Sequence, residues 1–243
     1  MRSTNEDAFV IVELRTGRRW GGNVTQWTTG EGGVVLAVSD GMGGANAGEV
    51  ASALTIEAVV RGMVEAAKHG APDGEALRRV IEQASWAVHQ AGRRPDRRGM
   101  GATLTAVLVA DSAAYVAQIG DSRAYLLRDG TIGQLTHDQS YVQMLVDVGV
   151  MTPEQAEKSS AKNIILQVMG QEEVRVALGR VDVRRGDRLL LCSDGLTNVL
   201  DDVTIEETAR RPKDIARVCA ELVDKTRGRG APDNVTVVLA DVD

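Results

Sequence analysis

The sequence predicts an α+β fold in which antiparallel sheets pack together and paired helices form layers outside them. Three observations carry that prediction. The apolar segments Ala102 to Ala110 and Ala113 to Ile119 are joined only by Asp111-Ser112, and so short a connection joins antiparallel neighbours. Arg123 to Arg128 and Thr131 to Leu135 flank Asp129-Gly130, a favoured two-residue hairpin turn. Helical segments come in pairs and strands in runs, without βαβ alternation.

Taken in order, the polar start Met1 to Asp7 leads into a strand-like Ala8 to Leu14. Arg15 to Gly33, rich in Gly, Thr and Arg, reads as a hairpin or loop, and Val34 to Ser39 as the first buried strand. From about Gly48 through Gly70 the composition is helical, with small Ala51, Ala53 and Ala58 allowing close packing. Pro72-Asp73-Gly74 breaks this helix. The next one sets Leu77, Val80, Ile81, Ala84 and Val88 on one face and ends near Gly92. Arg93 to Gly99 is a basic loop ahead of the hairpins. Asp138 to Gly170 is a long excursion, inside which Thr152-Pro153-Glu154-Gln155 has the N-cap, first-turn proline and returning Gln of a helix start. Arg175 to Val183 and Arg188 to Cys192 return to strands, and Ile215, Val218, Cys219, Leu222 and Val223 mark an amphipathic helix. Val235 to Ala240 closes the chain as a buried strand. No repeat, low-complexity tract or linker divides these elements, so residues 1–243 are expected to form one domain.

Composition narrows the class. Of 243 residues, 43% are hydrophobic but only 3% aromatic, so the core must be built from Val, Leu, Ile and Ala. A net charge of -6 gives no basic field for a nucleic-acid backbone. No apolar run approaches the roughly 18 residues of a membrane span, and no signal-peptide pattern opens the chain. A cytoplasmic protein without membrane or nucleic-acid partners is expected. Cys192, in an apolar strand, and Cys219, on an apolar helix face, read as core packing rather than as a disulfide or a zinc site.

The chemistry is suggested by where the aspartates fall. Val34 to Ser39 ends in Asp40-Gly41-Met42-Gly43-Gly44, Leu189 to Ser193 ends in Asp194-Gly195, a third apolar segment ends in Gly120-Asp121, and Asp233-Asn234 opens the last strand. One Asp-Gly is ordinarily a turn. Several carboxylates at strand ends that could share one sheet edge suggest a cluster of hard oxygen ligands. With Glu6 and Asp7 they form an all-oxygen donor set without His or Cys, which selects Mg²⁺ or Mn²⁺ over Zn²⁺. Like charges so close raise one another's pKa, so cations would belong to the folded site. Two such ions ~3.5–4 Å apart suit phosphoryl transfer to water. Arg2 could offer a bidentate fork to phosphate oxygens. A dinucleotide loop at Gly41-Met42-Gly43-Gly44 fails its template, because Asn46 takes the place of the third glycine, and the Gly41 carbonyl is the better ligand candidate.

The segments Arg2…Asn5-Glu6-Asp7, Asp40-Gly41-Met42-Gly43-Gly44, Gly120-Asp121-Ser122-Arg123-Ala124, Ser193-Asp194-Gly195-Leu196-Thr197 and Asp233-Asn234-Val235-Thr236-Val237 stand in this order. Together they resemble the bacterial metal-dependent protein phosphatases, the type 2C serine/threonine phosphatases of the PPM family. The resemblance runs essentially end to end. It implies a four-layer αββα sandwich with Mn²⁺ or Mg²⁺ in a cleft at one end of the sheets. It implies that Asp40 bridges two metals, that Gly41 lends its carbonyl, and that Asp194 and Asp233 complete the first metal. Glu6 and Asp7 would act directly or through water, Asp121 with Asp194 would hold a third, weaker metal, and Arg2 would bind phosphate. Residues 138–170 would be a mobile flap that influences substrate choice. The implied activity is hydrolysis of phosphoserine and phosphothreonine by metal-activated water, without a covalent phosphoenzyme, in a monomer that opposes a Ser/Thr kinase.

Some positions depart from the family pattern. Relatives usually carry a strand ahead of the arginine, whereas here Arg2 follows the initiator. Met42 stands where some eukaryotic relatives have a histidine proposed as general acid. Thr136-His137-Asp138-Gln139-Ser140 replaces the commoner Thr-Arg-Asp-His-Ser, and Lys158-Ser159-Ser160 replaces an expected His-Pro. His137 reads as a loop histidine contacting backbone or solvent, and His69 and His89 as surface residues on helices. Two other readings remain at this stage: a narrower regulator acting on one anti-sigma antagonist, and a pseudophosphatase that only binds phosphoproteins.

Overall fold

The computed structural model describes residues 4–20, 32–43, 47–210 and 214–243. Seven strands form one antiparallel sheet: β1 (Asp7–Glu13), β2 (Arg19–Trp20), β3 (Val34–Met42), β4 (Gly101–Ala102), β5 (Leu104–Ala110), β6 (Ala113–Ile119) and β9 (Ala177–Asp182). Their order is β2-β1-β3-β5-β6-β9, with β4 paired to the end of β3. Four more make the second sheet, in the order β11-β10-β7-β8: β7 (Arg123–Arg128), β8 (Thr131–Gln134), β10 (Arg188–Cys192) and β11 (Val237–Asp241). The Asp129-Gly130 hairpin turn has both residues at positive φ, 54° and 83°, as a type I′ turn requires.

Period-2 alternation assigns each side chain to a layer. Val35 and Ala37 of β3 face α1 (Ala47–Ala67) and α2 (Gly74–Gly92), where Ile56, Val59, Met63, Leu77, Ile81 and Val88 meet them. Leu36 and Val38 face the other way, onto Ala124, Leu126, Leu189 and Leu191 of the second sheet. The far face of that sheet, with Tyr125, Leu127, Leu190 and Cys192, packs on α6 (Asp202–Ala209) and α7 (Ile215–Gly228) through Ile205, Val218 and Leu222. Three apolar clusters thus fill the three spaces between four layers: helices, sheet, sheet, helices. The five residues predicted for one face of α2 are all buried, and both cysteines are free thiols.

The excursion from Asp138 to Gly170 carries α3 (Tyr141–Asp147) and α4 (Pro153–Glu157). The latter opens with the full Thr152/Gln155 capping box. Neither α3 nor α6 is anticipated by apolar periodicity. Tyr141, Met144 and Val148 are exposed at α3, and α6 is eight residues long with a mostly polar sequence, started by the Asp201 side chain on Thr204 N (2.7 Å). Strand β3 runs three residues past Ser39, because Gly41 and Met42 pair with Ala102 and Gly101. The last strand begins two residues late, at Val237, and β9 is shorter at both ends than the predicted 175–183.

Candidate metal centre

Register brings the scattered aspartates to one edge. Asp7 at the start of β1 is the cross-strand partner of Asp40 near the end of β3. Val38 pairs with Thr105 and Leu104 with Ile119, so the turn Gly120-Asp121 lies at the same end. On the second sheet Cys192 pairs with both Arg123 and Val237, which places Asp194, the first residue of the short α5 (Asp194–Thr197), and Asp233 just beyond that end. Antiparallel pairing is the cause, since ends of opposite chain sense meet at one edge.

Glycines permit the close approaches. A Cβ on Gly41 would overlap the Gly48 carbonyl at the start of α1 and lie 2.7 Å from the Glu6 carbonyl oxygen. A Cβ on Gly48 would sit 2.6 Å from Glu6 Oε1, so the Glu6 carboxylate lies over the first turn of α1. The Gly41 N–H donates to the Glu6 carbonyl (3.1 Å), and Ser52 Oγ donates to the same oxygen (2.6 Å). Across the cleft, a Cβ on Gly195 would overlap the Asn234 carbonyl oxygen.

Asp7 is held on one side. Ser193 Oγ and Thr236 Oγ1 each donate to its Oδ2 at 2.7 Å, while its buried Oδ1 has no hydrogen-bond partner. Asn234 ties the chain ends together, accepting from Glu6 N (3.0 Å) and donating to the Thr4 carbonyl (3.0 Å). Asp40 N donates to Thr103 Oγ1 (3.0 Å), which lies 2.7 Å from Ser122 Oγ. Asn198 Nδ2 donates to Asp194 Oδ2 (2.8 Å). Ser193, Thr236, Asn234 and Thr103 went unrecognised in the sequence as supports of the acids. The only signal available was a hydroxyl or amide beside each aspartate motif.

Electrostatics report the crowding. Burial foremost, then the charges of Asp7 and Asp194, a hydrogen bond with Asp194 and the charge of Asp233, raise the Asp40 carboxyl to about 10. Burial also raises Asp7, against the pull of the Thr236 and Ser193 hydroxyls, with Asp194 and Asp233 adding to the rise. Asp121 is pushed to about 7 by burial and then by Asp194 and Asp138. Asp194 therefore acts on both the Asp7–Asp40 pair and Asp121. Among the described residues, no three His, Cys, Asp or Glu side chains stand in the geometry of a finished metal-coordination sphere. The donor set still fits a hard divalent cation: every member is a carboxylate or carbonyl oxygen, and Asp7 Oδ1 is a buried carboxylate oxygen with no hydrogen-bond partner. Arg2 lies outside the described residues.

The histidines do not enter this edge. His137 is 66% exposed, as a loop histidine meeting solvent should be, and it also bonds the Asp147 carboxylate of α3 through Nε2 (2.8 Å). His69 lies just past the end of α1 and is exposed. His89 is half-buried, stacked on Trp86 with its Nδ1 3.0 Å from the Gly170 carbonyl, and so is less exposed than expected.

A family model described as protein phosphatase 2C matches residues 23–239. The chain belongs to this family. It is 42% identical over 212 residues to the serine/threonine protein phosphatase PstP of Mycobacterium tuberculosis, a match covering 86% of this chain and 40% of that protein. The chain thus spans well under half of that relative's length. It is 35% identical over 244 residues to the serine/threonine phosphatase stp of Listeria monocytogenes, covering 96% of each. Among solved type 2C structures, the catalytic domain of PstP in complex with two manganese ions superposes with a TM-score of 0.80 at 36% identity, over 100% of this chain and 94% of that one. Stp1 from Staphylococcus aureus gives 0.84 at 31% identity, over 100% and 91%.

Proposed function

We propose that this type 2C chain is a metal-dependent protein serine/threonine phosphatase that hydrolyses phosphoserine and phosphothreonine, with residues 1–243 as one catalytic domain and 138–170 as its flap. The observation that carries the reading is the meeting of Asp7, Asp40, Asp194 and Asp233 at one edge of the packed sheets, where burial first and then the charges of the other three raise Asp40 to about 10. Asp40, Asp194 and Asp233, with the Gly41 carbonyl, hold two Mn²⁺ or Mg²⁺ ions, and Glu6 and Asp7 complete the set directly or through water. Asp121 with Asp194 holds a third, weaker ion. When bound, such cations supply Lewis acidity toward phosphoryl oxygens and water of lowered pKa. The chain's own share is placement. Ser193 and Thr236 fix Asp7 Oδ2 so that Oδ1 is left for the cleft. The bare glycines keep side chains out of the cleft, and Arg2 grips the phosphate.

Phosphorylated proteins are the substrates, a Ser/Thr kinase is the opposing enzyme, and the protein works as a cytoplasmic monomer. No helix among the described residues is long and apolar enough to cross a membrane. The test is release of phosphate from a phosphothreonine peptide and from an aryl phosphate, with and without Mn²⁺. Asp194→Asn should abolish turnover while urea unfolding stays cooperative. Failure of the wild-type chain to bind Mn²⁺ by calorimetry and to release phosphate would leave only the phosphoprotein-binding alternative.

A further inference from the structure

The basic loop that follows α2 has no part in the chemistry above, yet it adjoins the cleft. Arg93, Arg94, Arg97 and Arg98 occur within six residues, with Asp96 as the one acid among them. Arg93, Arg94 and Arg98 are exposed and Arg97 is half-buried. Asp96 engages Arg94 Nε (3.2 Å) and lies 3.8 Å from Arg97 Nε, and Arg93 Nη1 reaches only Gln90 (3.4 Å). Arg98 makes no hydrogen bond or ion pair among the described residues. Four guanidiniums against one carboxylate make a positive patch on a chain of net charge -6.

Its position is set by backbone contacts. Met100 N donates to the Arg97 carbonyl (3.1 Å), and Gly101 and Ala102 pair directly with Met42 and Gly41. A Cβ on Gly43 would lie 3.3 Å from Met100 Cα. Arg98 is thus three residues along the chain from Gly101, whose partner is two residues past Asp40. That path bounds the Arg98-to-Asp40 separation at about 20 Å, the span of about six extended residues. The acidic pair Glu172-Glu173, which follows Gly170, leads away. Gly170 sits at His89, and Gln171 meets Ser85 one turn earlier in α2, so the chain runs toward that helix's N-terminus.

We propose that this arginine loop docks acidic side chains of the substrate protein lying within about six residues of the phosphorylated Ser or Thr. The inference rests on the phosphatase reading and names its substrate class. With cations in the cleft the phosphate itself is drawn in, but acidic side chains flanking it meet a protein of net charge -6 and are repelled unless a local field of opposite sign lies at the rim. Guanidinium is suited to the task because it meets carboxylates in bidentate fashion.

The test uses a labelled phosphothreonine peptide with glutamates three to six residues on both sides, and a matched peptide with glutamines. Binding by anisotropy to Asp194→Asn protein is read without turnover, so it stands whether or not the chain is an active phosphatase. Steady-state kinetics on the wild-type chain form a second arm. Arg93→Gln/Arg98→Gln should weaken the glutamate peptide about fivefold, the effect of two exposed ion pairs. The loss should appear in Kd and KM, leave kcat and aryl phosphate hydrolysis unchanged, and shrink with added salt. The glutamine peptide should not respond. Equal loss for both peptides, or no loss for either, overturns the proposal. Wild-type inactivity toward aryl phosphate would overturn the phosphatase reading instead, leaving the binding comparison to decide this one.

Discussion

Asp138, at the base of the 138–170 excursion, is a sharp place to test the structure. It accepts from Arg123 Nε (2.9 Å to Oδ1, 3.1 Å to Oδ2) and from Nη2 (2.7 Å to Oδ2). The two side chains are 26% and 13% exposed. Arg123 Nη1 also donates to Tyr125 OH (3.1 Å), which donates to Asp202 Oδ1 (3.1 Å). Asp138→Ala therefore strands a guanidinium in a largely desolvated position with one neutral partner. Removing one side of a buried pair costs about 3–5 kcal/mol, and with a quarter of Arg123 exposed a loss of about 2–3 kcal/mol is expected. In a chain of this size that lowers Tm by roughly 5–10 °C. The double variant Arg123→Met/Asp138→Leu should lose less, because no charge is left alone. Urea unfolding followed by circular dichroism gives both values. An Asp138→Ala loss under about 1 kcal/mol, or a double variant less stable than Asp138→Ala, would refute the reasoning.

Other outcomes follow from the cleft. Gly195→Ala sets a Cβ 2.9 Å from the Asn234 carbonyl carbon, so backbone must move and carry Asp233 with it. A stability loss of about 1–3 kcal/mol and a turnover loss on the order of a hundredfold are expected, and wild-type kinetics would contradict this. Ser193→Ala removes one of the two hydroxyls holding Asp7 Oδ2. Calorimetry should show Mn²⁺ affinity reduced about tenfold, and an unchanged Kd would exclude the orienting role. Asp121 has a folded pKa raised from 3.8 to about 7. The native state then holds more protons than the unfolded chain between those values, so metal-free protein loses stability as pH rises through that window. Asp121→Asn should flatten the slope in chelator-treated samples and stabilise them at pH 7 by up to about 4 kcal/mol. An identical pH profile for the two proteins would remove Asp121 as the cause.

Much of the architecture was legible locally. The face of α2 needed only Leu77, Val80, Ile81, Ala84 and Val88, the β7–β8 hairpin only Asp129-Gly130, and the start of α4 only Thr152 and Gln155. These features depend on neighbours within a few residues, where spacing and turn chemistry suffice. The α3 helix was not legible, because Tyr141 and Met144 are exposed and only Val142 is buried, whereas periodicity presumes that apolar residues are buried together. The failure at β3 was of another kind: of its three extra residues, Asp40 pairs with Asp7 of β1, and Gly41 and Met42 pair with β4, some sixty positions away.

The sequence by itself determined that hard oxygen ligands stand at strand ends, and that glycines beside them leave the backbone bare. Only the tertiary structure decided that those ends share an edge. Asp7 opposite Asp40 is a statement of register, and a slip of one residue would turn one of the two to the other face of the sheet. Likewise, nothing local says that Ser193 and Thr236 converge on Asp7, or that Asn234 closes the chain onto Thr4 and Glu6. Each such contact spans from 186 to 230 residues of sequence, and the packing of the two sheets brings those residues together.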